Sequence, residues 1–114
     1  MARINVTDPA RRDIDSVLAH SLDAFGTMAQ RRYAALIRAA LKDLAADPLR
    51  IGSKGLTGSR EGIRTYHLQN SRFRVAEFSV RNPRHVVVYR LAGQDVVDVL
   101  RVLHDAMDPD RHLS

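Results

Sequence analysis

The chain has no cysteine and no tryptophan, only three phenylalanines and three tyrosines, and glutamate at just two of its 114 positions. Without thiols there is no disulfide, no thiolate nucleophile and no Cys-ligated zinc or iron–sulfur centre, a composition that fits a reducing compartment. No stretch of about 18 uncharged apolar residues is present to cross a bilayer. The opening Met1-Ala-Arg-Ile-Asn-Val also lacks the apolar run of a signal peptide. These absences predict a soluble cytoplasmic protein, with residues 1–114 as one domain.

The charge that is present is unevenly placed. The formal net charge is +5. Residues 1–49 hold seven Arg/Lys against six Asp, and residues 91–114 hold two Arg against five Asp. Residues 50–90 carry nine Arg/Lys against two Glu. A cationic middle attracts either a phosphate backbone or an acidic protein surface, and speeds encounter with both. It equally suits an Arg-rich sheet face that does no more than keep the protein soluble.

Hydrophobic spacing divides the chain into helices and then strands. Arg3-Ile-Asn-Val-Thr7 alternates polar and apolar residues as a short strand does, and Asp8-Pro9 then offers an N-cap and a proline suited to the first helical turn. Ile14, Val17, Leu18, Leu22 and Phe25 recur every three or four residues, forming one apolar stripe up to Gly26. Thr27 and Gln30 have the spacing of a capping box, and a second stripe of Tyr33, Leu36, Ile37, Ala40, Leu41 and Leu44 runs to Asp47-Pro48. Two helices so closely joined form an antiparallel hairpin. Residues 50–62 hold four glycines and predict a loop without the phosphate-loop pattern.

Four strands are predicted beyond it, at Ile63–Gln69, Phe73–Val80, His85–Leu91 and Val96–His104, joined by short polar turns into an antiparallel meander. Strict alternation in the last would send Val97, Val99 and Leu103 to one face and Val96, Leu100 and Val102 to the other. The helical hairpin can cover only one face; the other needs the tail after Asp105, through Met107 and Leu113, or a partner chain.

The element order, with Ala10, Asp13 and Ile14 on the first helix and Gly26, Ala29, Tyr33, Leu44 and Ala45-Ala-Asp-Pro48 around the second, resembles the RelE/ParE toxin superfamily over nearly the whole chain. Gly62-Ile-Arg64, Arg72-Phe-Arg-Val75 and Arg101-Val-Leu-His104 continue the likeness, which is nearest the ParE branch. The resemblance implies an α+β fold: a short N-terminal strand and an antiparallel helical hairpin packed on a small antiparallel sheet. It implies the toxin of a bacterial type II toxin–antitoxin pair, neutralised by a ParD-like antitoxin. ParE-like members poison DNA gyrase and have no agreed catalytic residues, whereas RelE-like members cut messenger RNA at the ribosome.

Cutting RNA through its own 2′-hydroxyl requires a base, cations on the scissile phosphate and an acid for the leaving oxygen. Arg64, Arg74 and His104 are the residues that could supply them, each with an ordinary structural reading beside it. No aromatic residue follows Tyr89 to stack on a base. Binding without catalysis is therefore the favoured expectation, with Arg64, Arg72, Arg74, Arg81 and Arg84 as a basic surface for antitoxin or target. The alternatives are the mRNA endonuclease and a non-toxic basic nucleic-acid-binding module. His20, His67, His85 and His112 show no metal-ligand spacing, and Ser53, Ser59, Ser71 and Ser79 lie in no nucleophile elbow, so neither metal nor cofactor is expected.

Overall fold

A computed structural model describes residues 1–56, 62–74 and 80–113. The elements are β1 (Arg3–Val6), α1 (Asp8–Phe25), α2 (Thr27–Ala46), β2 (Ser53–Gly55), β3 (Ile63–His67), β4 (His85–Leu91) and β5 (Val96–His104), with 3₁₀ segments at Leu68–Arg74 and Pro109–His112. The strands form one sheet in the order β1-β5-β4-β3-β2. The α+β class agrees with expectation, but the sheet is mixed rather than antiparallel, because β1 lies parallel to β5 with Ile4 opposite Val97.

Helix α1 begins one residue earlier than the proline signal implied. Thr7 is the cap, its hydroxyl accepting from the Ala10 amide while donating to the Val99 carbonyl, so one side chain closes the helix start and ties it to β5. Gly26 ends α1 with φ of +93°, a conformation that excludes most side chains, and also caps α2. The expected Thr27–Gln30 capping box does not form. The Gln30 side chain instead donates to the Leu18 carbonyl at 3.2 Å and fastens α2 to α1.

The core lies between the hairpin and one face of the sheet. Leu36, Ile37, Ala40 and Leu44 of α2 meet Tyr66, Val87, Tyr89, Val97, Val99 and Val102, with Tyr33 and Leu41 at the margin. From α1 only Ala10, Ile14 and Leu18 join this core. Leu22 and Phe25 are exposed, Phe25 by 75%. The stripe on α1 thus outruns the sheet beneath it, and its last turn presents apolar side chains to water.

Strand β5 departs from strict alternation. Opposite β4 its register shifts by one between Val88 and Tyr89, leaving Leu100 as the extra residue of a bulge. Val97, Val99 and Val102 therefore all face the hairpin, while Leu103 turns with Ile63 and Val88 to the second face. Leu56, Leu100 and Leu113 pack on that smaller cluster, so the tail supplies part of the missing cover; Met107 stays exposed. The Arg101 guanidinium holds the tail by donating to the His112 carbonyl at 2.9 Å.

β1 covers the edge of β5 only as far as Val99. Beyond it Asp13 takes over: its carboxylate accepts from the Val102 amide at 3.0 Å and from Arg101 Nε and an Nη at 2.6 and 2.9 Å. This bidentate pairing keeps Arg101 more strongly cationic than usual and gives the Asp of the Ala-x-x-Asp pattern a structural task.

Two segments differ from the predicted strands. Strand β3 stops at His67, and the chain turns into a 3₁₀ segment whose Ser71 hydroxyl bonds Asp43 and Tyr66, so Phe73 and Arg74 are not in a strand. The remainder of the predicted Phe73–Val80 strand, residues 75–79, lies outside the described residues. Within the glycine-rich stretch, Ser53–Gly55 forms a strand paired antiparallel to Tyr66–Arg64.

Candidate functional site

The last turn of α1, the first turns of α2 and the segment before β4 enclose a groove of about 580 Å³. Val17, Phe25, Ala29 and Val80 give it apolar walls, Arg32, Arg81 and Arg84 line it with cations, and Tyr33, His85 and His104 also border it. His20 meets Phe25 edge to face, with ring centroids 6.5 Å apart. The groove exists because the α1 stripe continues past the sheet edge.

At its inner end the strand register brings two histidines together. His85 opens β4, His104 closes β5, and the two are cross-strand partners with rings 5.6 Å apart. Tyr33 reaches across from α2: its hydroxyl is 2.6 Å from His85 Nδ1 and accepts the Arg84 amide at 3.1 Å. Burial and the neighbouring His104 push the His85 pKa down to about 4, so the ring is neutral at pH 7. Burial likewise raises the Tyr33 hydroxyl pKa and keeps it protonated.

Asp105, just past β5, organises the outer side. It accepts from His67 Nε2 at 3.0 Å and from an Arg84 Nη at 3.0 Å, with His104 Nδ1 3.5 Å away. The hydrogen bond from His67, followed by Arg84 and His104, holds its carboxyl below the usual range. Backbone amides fix the rings. The Gln69 amide donates to His67 Nδ1 and the Ala106 amide to His104 Nδ1, both at 3.1 Å.

The residues singled out from sequence fall into two groups. Arg81 and Arg84 line the groove. Arg64 lies near the other end of the sheet, opposite Tyr89, with its guanidinium bonded to the Ser53 hydroxyl at 2.7 Å and to the Ser53 carbonyl at 3.3 Å. Arg72 stacks on Phe73 with its guanidinium carbon 4.8 Å from the ring centre, and Arg74 ends the 3₁₀ segment. Arg64 and His104 are two strands apart and four residue positions along, a backbone separation of ~16 Å from strand geometry. They do not share a site. Tyr33, His85 and Arg32, absent from the sequence-derived candidates, belong to the groove. Among the described residues no group of three His, Asp or Glu is placed to hold a metal ion. No helix among them is long and apolar enough to cross a membrane.

This hairpin-on-sheet arrangement is that of the RelE/ParE toxins. A chain of the chromosomal ParDE TA system from P. aeruginosa is similar to it, with a TM-score of 0.63 at 17% identity over 91% of this chain and 96% of that one. A chain of the RelBE2 complex from Mycobacterium tuberculosis gives a TM-score of 0.57 at 24% identity, covering 90% and 96%. One of the E. coli DinJ–YafQ complex gives 0.54 at 16%, covering 92% and 93%. No curated protein sequence matches. Residues 4–109 match the ParE toxin of the type II toxin–antitoxin system parDE, and the chain belongs to that family.

Proposed function

We propose that this ParE-family toxin acts by binding rather than by bond cleavage, with DNA gyrase as its target and a ParD-like antitoxin as its neutralising partner in the cytoplasm. The observation that carries a binding mode is the separation of Arg64 from His104, which leaves the expected RNA-cleaving set without a common site. An antitoxin partner is supported by the family and by the RelBE2 and DinJ–YafQ structures, which are toxin–antitoxin complexes. The groove suits such a partner. Its apolar walls can bury aliphatic or aromatic anchors, and Arg32, Arg81 and Arg84 can receive acidic side chains.

One observation favours a second reading. Neutral His85, half-buried His104 and the Tyr33 hydroxyl converge beside Arg84 and Arg81, an acid–base set that an mRNA endonuclease could use. Phe25 and His20, supplied by α1, give this site the rings that the sequence after Tyr89 lacks. Inducing the chain alone in bacteria and following labelled DNA and protein precursors separates the two. DNA synthesis stopping first, with a DNA-damage response, supports gyrase. Protein synthesis stopping first, with relief by His104→Ala, supports the endonuclease.

A further inference from the structure

The end of the molecule carrying β2 presents a second apolar surface that neither the core nor the groove uses. Ile51 is 95% exposed and Phe73 82%, with Leu49 exposed beside them in the turn. Isolated exposed apolar residues are ordinary on any protein. These are held in place by an internal clamp, which is not ordinary.

Asp43 of α2 is only 4% exposed. One carboxylate oxygen pairs with the Arg50 guanidinium at 3.1 Å, and the other accepts the Ser71 hydroxyl at 2.6 Å. Ser71 is bonded in turn to the buried Tyr66 hydroxyl at 2.8 Å, and Arg50 lies over the Tyr66 ring, 5.8 Å from its centre. One buried charge thus ties the turn bearing Leu49 and Ile51 to the 3₁₀ segment bearing Phe73. Burying a carboxylate costs several kcal/mol unless such partners surround it.

The two segments also touch directly. Gly52, at φ of +98°, sits so close to Asn70 that a Cβ there would fall within 2.6–2.8 Å of its side chain. Asn70 is itself fixed, donating to the His67 carbonyl at 3.1 Å. In a 3₁₀ helix, side chains three residues apart eclipse about one 6 Å turn along, which puts Phe73 on the same face of the segment as Asn70, the residue that touches Gly52. A preorganised pair of apolar tips loses little conformational freedom when a partner covers it.

Among the described residues the charge around these tips is one-sided. Arg72, stacked on Phe73, and Lys54, on the adjoining edge strand, have no carboxylate partner among the described residues. Asp47, the one acidic residue between positions 47 and 56, is turned inward to accept the Leu49 amide. The surface therefore matches an acidic protein face carrying an apolar pocket.

Building on the binding mode proposed above, we infer that Leu49, Ile51 and Phe73, flanked by Arg72 and Lys54, form the surface that seizes the target protein, while the antitoxin anchors in the groove. The toxin then has two separable faces.

The test uses the full chain with Ile51→Asp and Phe73→Asp together. Three quantities are measured: affinity for the cognate antitoxin, inhibition of DNA supercoiling by purified gyrase, and growth arrest on induction. Thermal unfolding confirms that the variant is folded. The expected result is antitoxin affinity within about twofold of the unsubstituted chain, an inhibitory concentration raised about 30-fold or more, as when a buried hot-spot anchor is lost, and no arrest. Unchanged gyrase inhibition in the variant overturns the surface while leaving the gyrase reading intact. A parallel fall in antitoxin affinity assigns the surface to the antitoxin and also overturns it. If the unsubstituted chain arrests growth without inhibiting gyrase, and the variant does not arrest, the surface stands and the gyrase reading falls. Unfolding of the double variant moves the same measurements to Arg72→Glu with Lys54→Glu, where the same outcomes decide.

Discussion

Two regions of this sheet are built on opposite plans. At the β4–β5 end, histidines, a tyrosine and an aspartate cross-link one another at the surface, and the apolar wall comes from a helix that overshoots the sheet. At the β2 end the polar network is internal, and apolar residues stand outward on a turn and a 3₁₀ segment. Titratable groups at the first end can respond to pH. The second has a buried carboxylate whose partners are fixed, and it responds to mutation far more than to solution conditions.

Breaking the internal clamp should have the largest effect. Asp43→Ala leaves the Ser71 hydroxyl and Arg50 without their buried acceptor, and we expect a stability loss of about 3 kcal/mol in denaturant unfolding. Inhibition of the target should weaken as the turn and 3₁₀ segment drift apart.

Acid should loosen the histidine end next. His85 titrates at about 4 in the fold against 6.5 unfolded, so between these values the unfolded chain binds more protons. Stability conferred by the neutral ring is complete above pH 6.5 and falls as pH drops toward 4. The loss should be about 2 kcal/mol, less than the whole shift implies because the ring is partly open to water. Asp105, whose pKa is depressed, acts in the same direction as its carboxylate is protonated. His85→Gln should flatten this slope in unfolding measured from pH 7 to 4.

Tyr33→Phe removes the hydroxyl joining α2 to His85 and to the Arg84 amide, an expected loss of about 1 kcal/mol by thermal unfolding. It should leave antitoxin affinity less affected than Phe25→Asp, which places a carboxylate in the apolar wall. The smallest expected effect is that of Arg84→Gln on stability, at most about 0.5 kcal/mol, because its pairing with Asp105 is half-exposed. Its mark should appear instead in the rate of antitoxin association, which should also fall as salt is raised. A rate indifferent to ionic strength would count against the cationic rim.

Much of this fold could be read from the chain. The two apolar stripes, Gly26 and the proline boundaries placed both helices, and β-branched runs placed β4 and β5. The failures have specific causes. Leu68–Gln69 and Phe73–Arg74 carry Leu and Phe like the ends of two strands, but Asn70 and Ser71 between them bond to His67 and Asp43, which favours one tighter 3₁₀ path through all of Leu68–Arg74. Parallel pairing of β1 was hidden because alternation reports a strand and not its partner. The histidine pair was hidden by the bulge. Regular counting outward from Leu91 opposite Val97 would set His85 against Leu103, and only the extra residue at Leu100 brings His104 there. Exposure of Phe25 was equally invisible, since periodicity gives a face and not the length of what lies under it.

The pairing of β1 with β5 has a consequence for how the protein comes into being. Asn5 and Asp98 are hydrogen-bonded neighbours at 2.9 Å although 93 positions separate them. Translation at ~5–20 residues per second makes the second only ~5–20 s after the first. Late in that interval the nascent chain has its opening strand and both helices but not β5, the strand that β1 pairs with. A half-made copy therefore has neither the closed groove nor a supported histidine end, and whatever binds through the groove can do so only late in synthesis, as a discrete event.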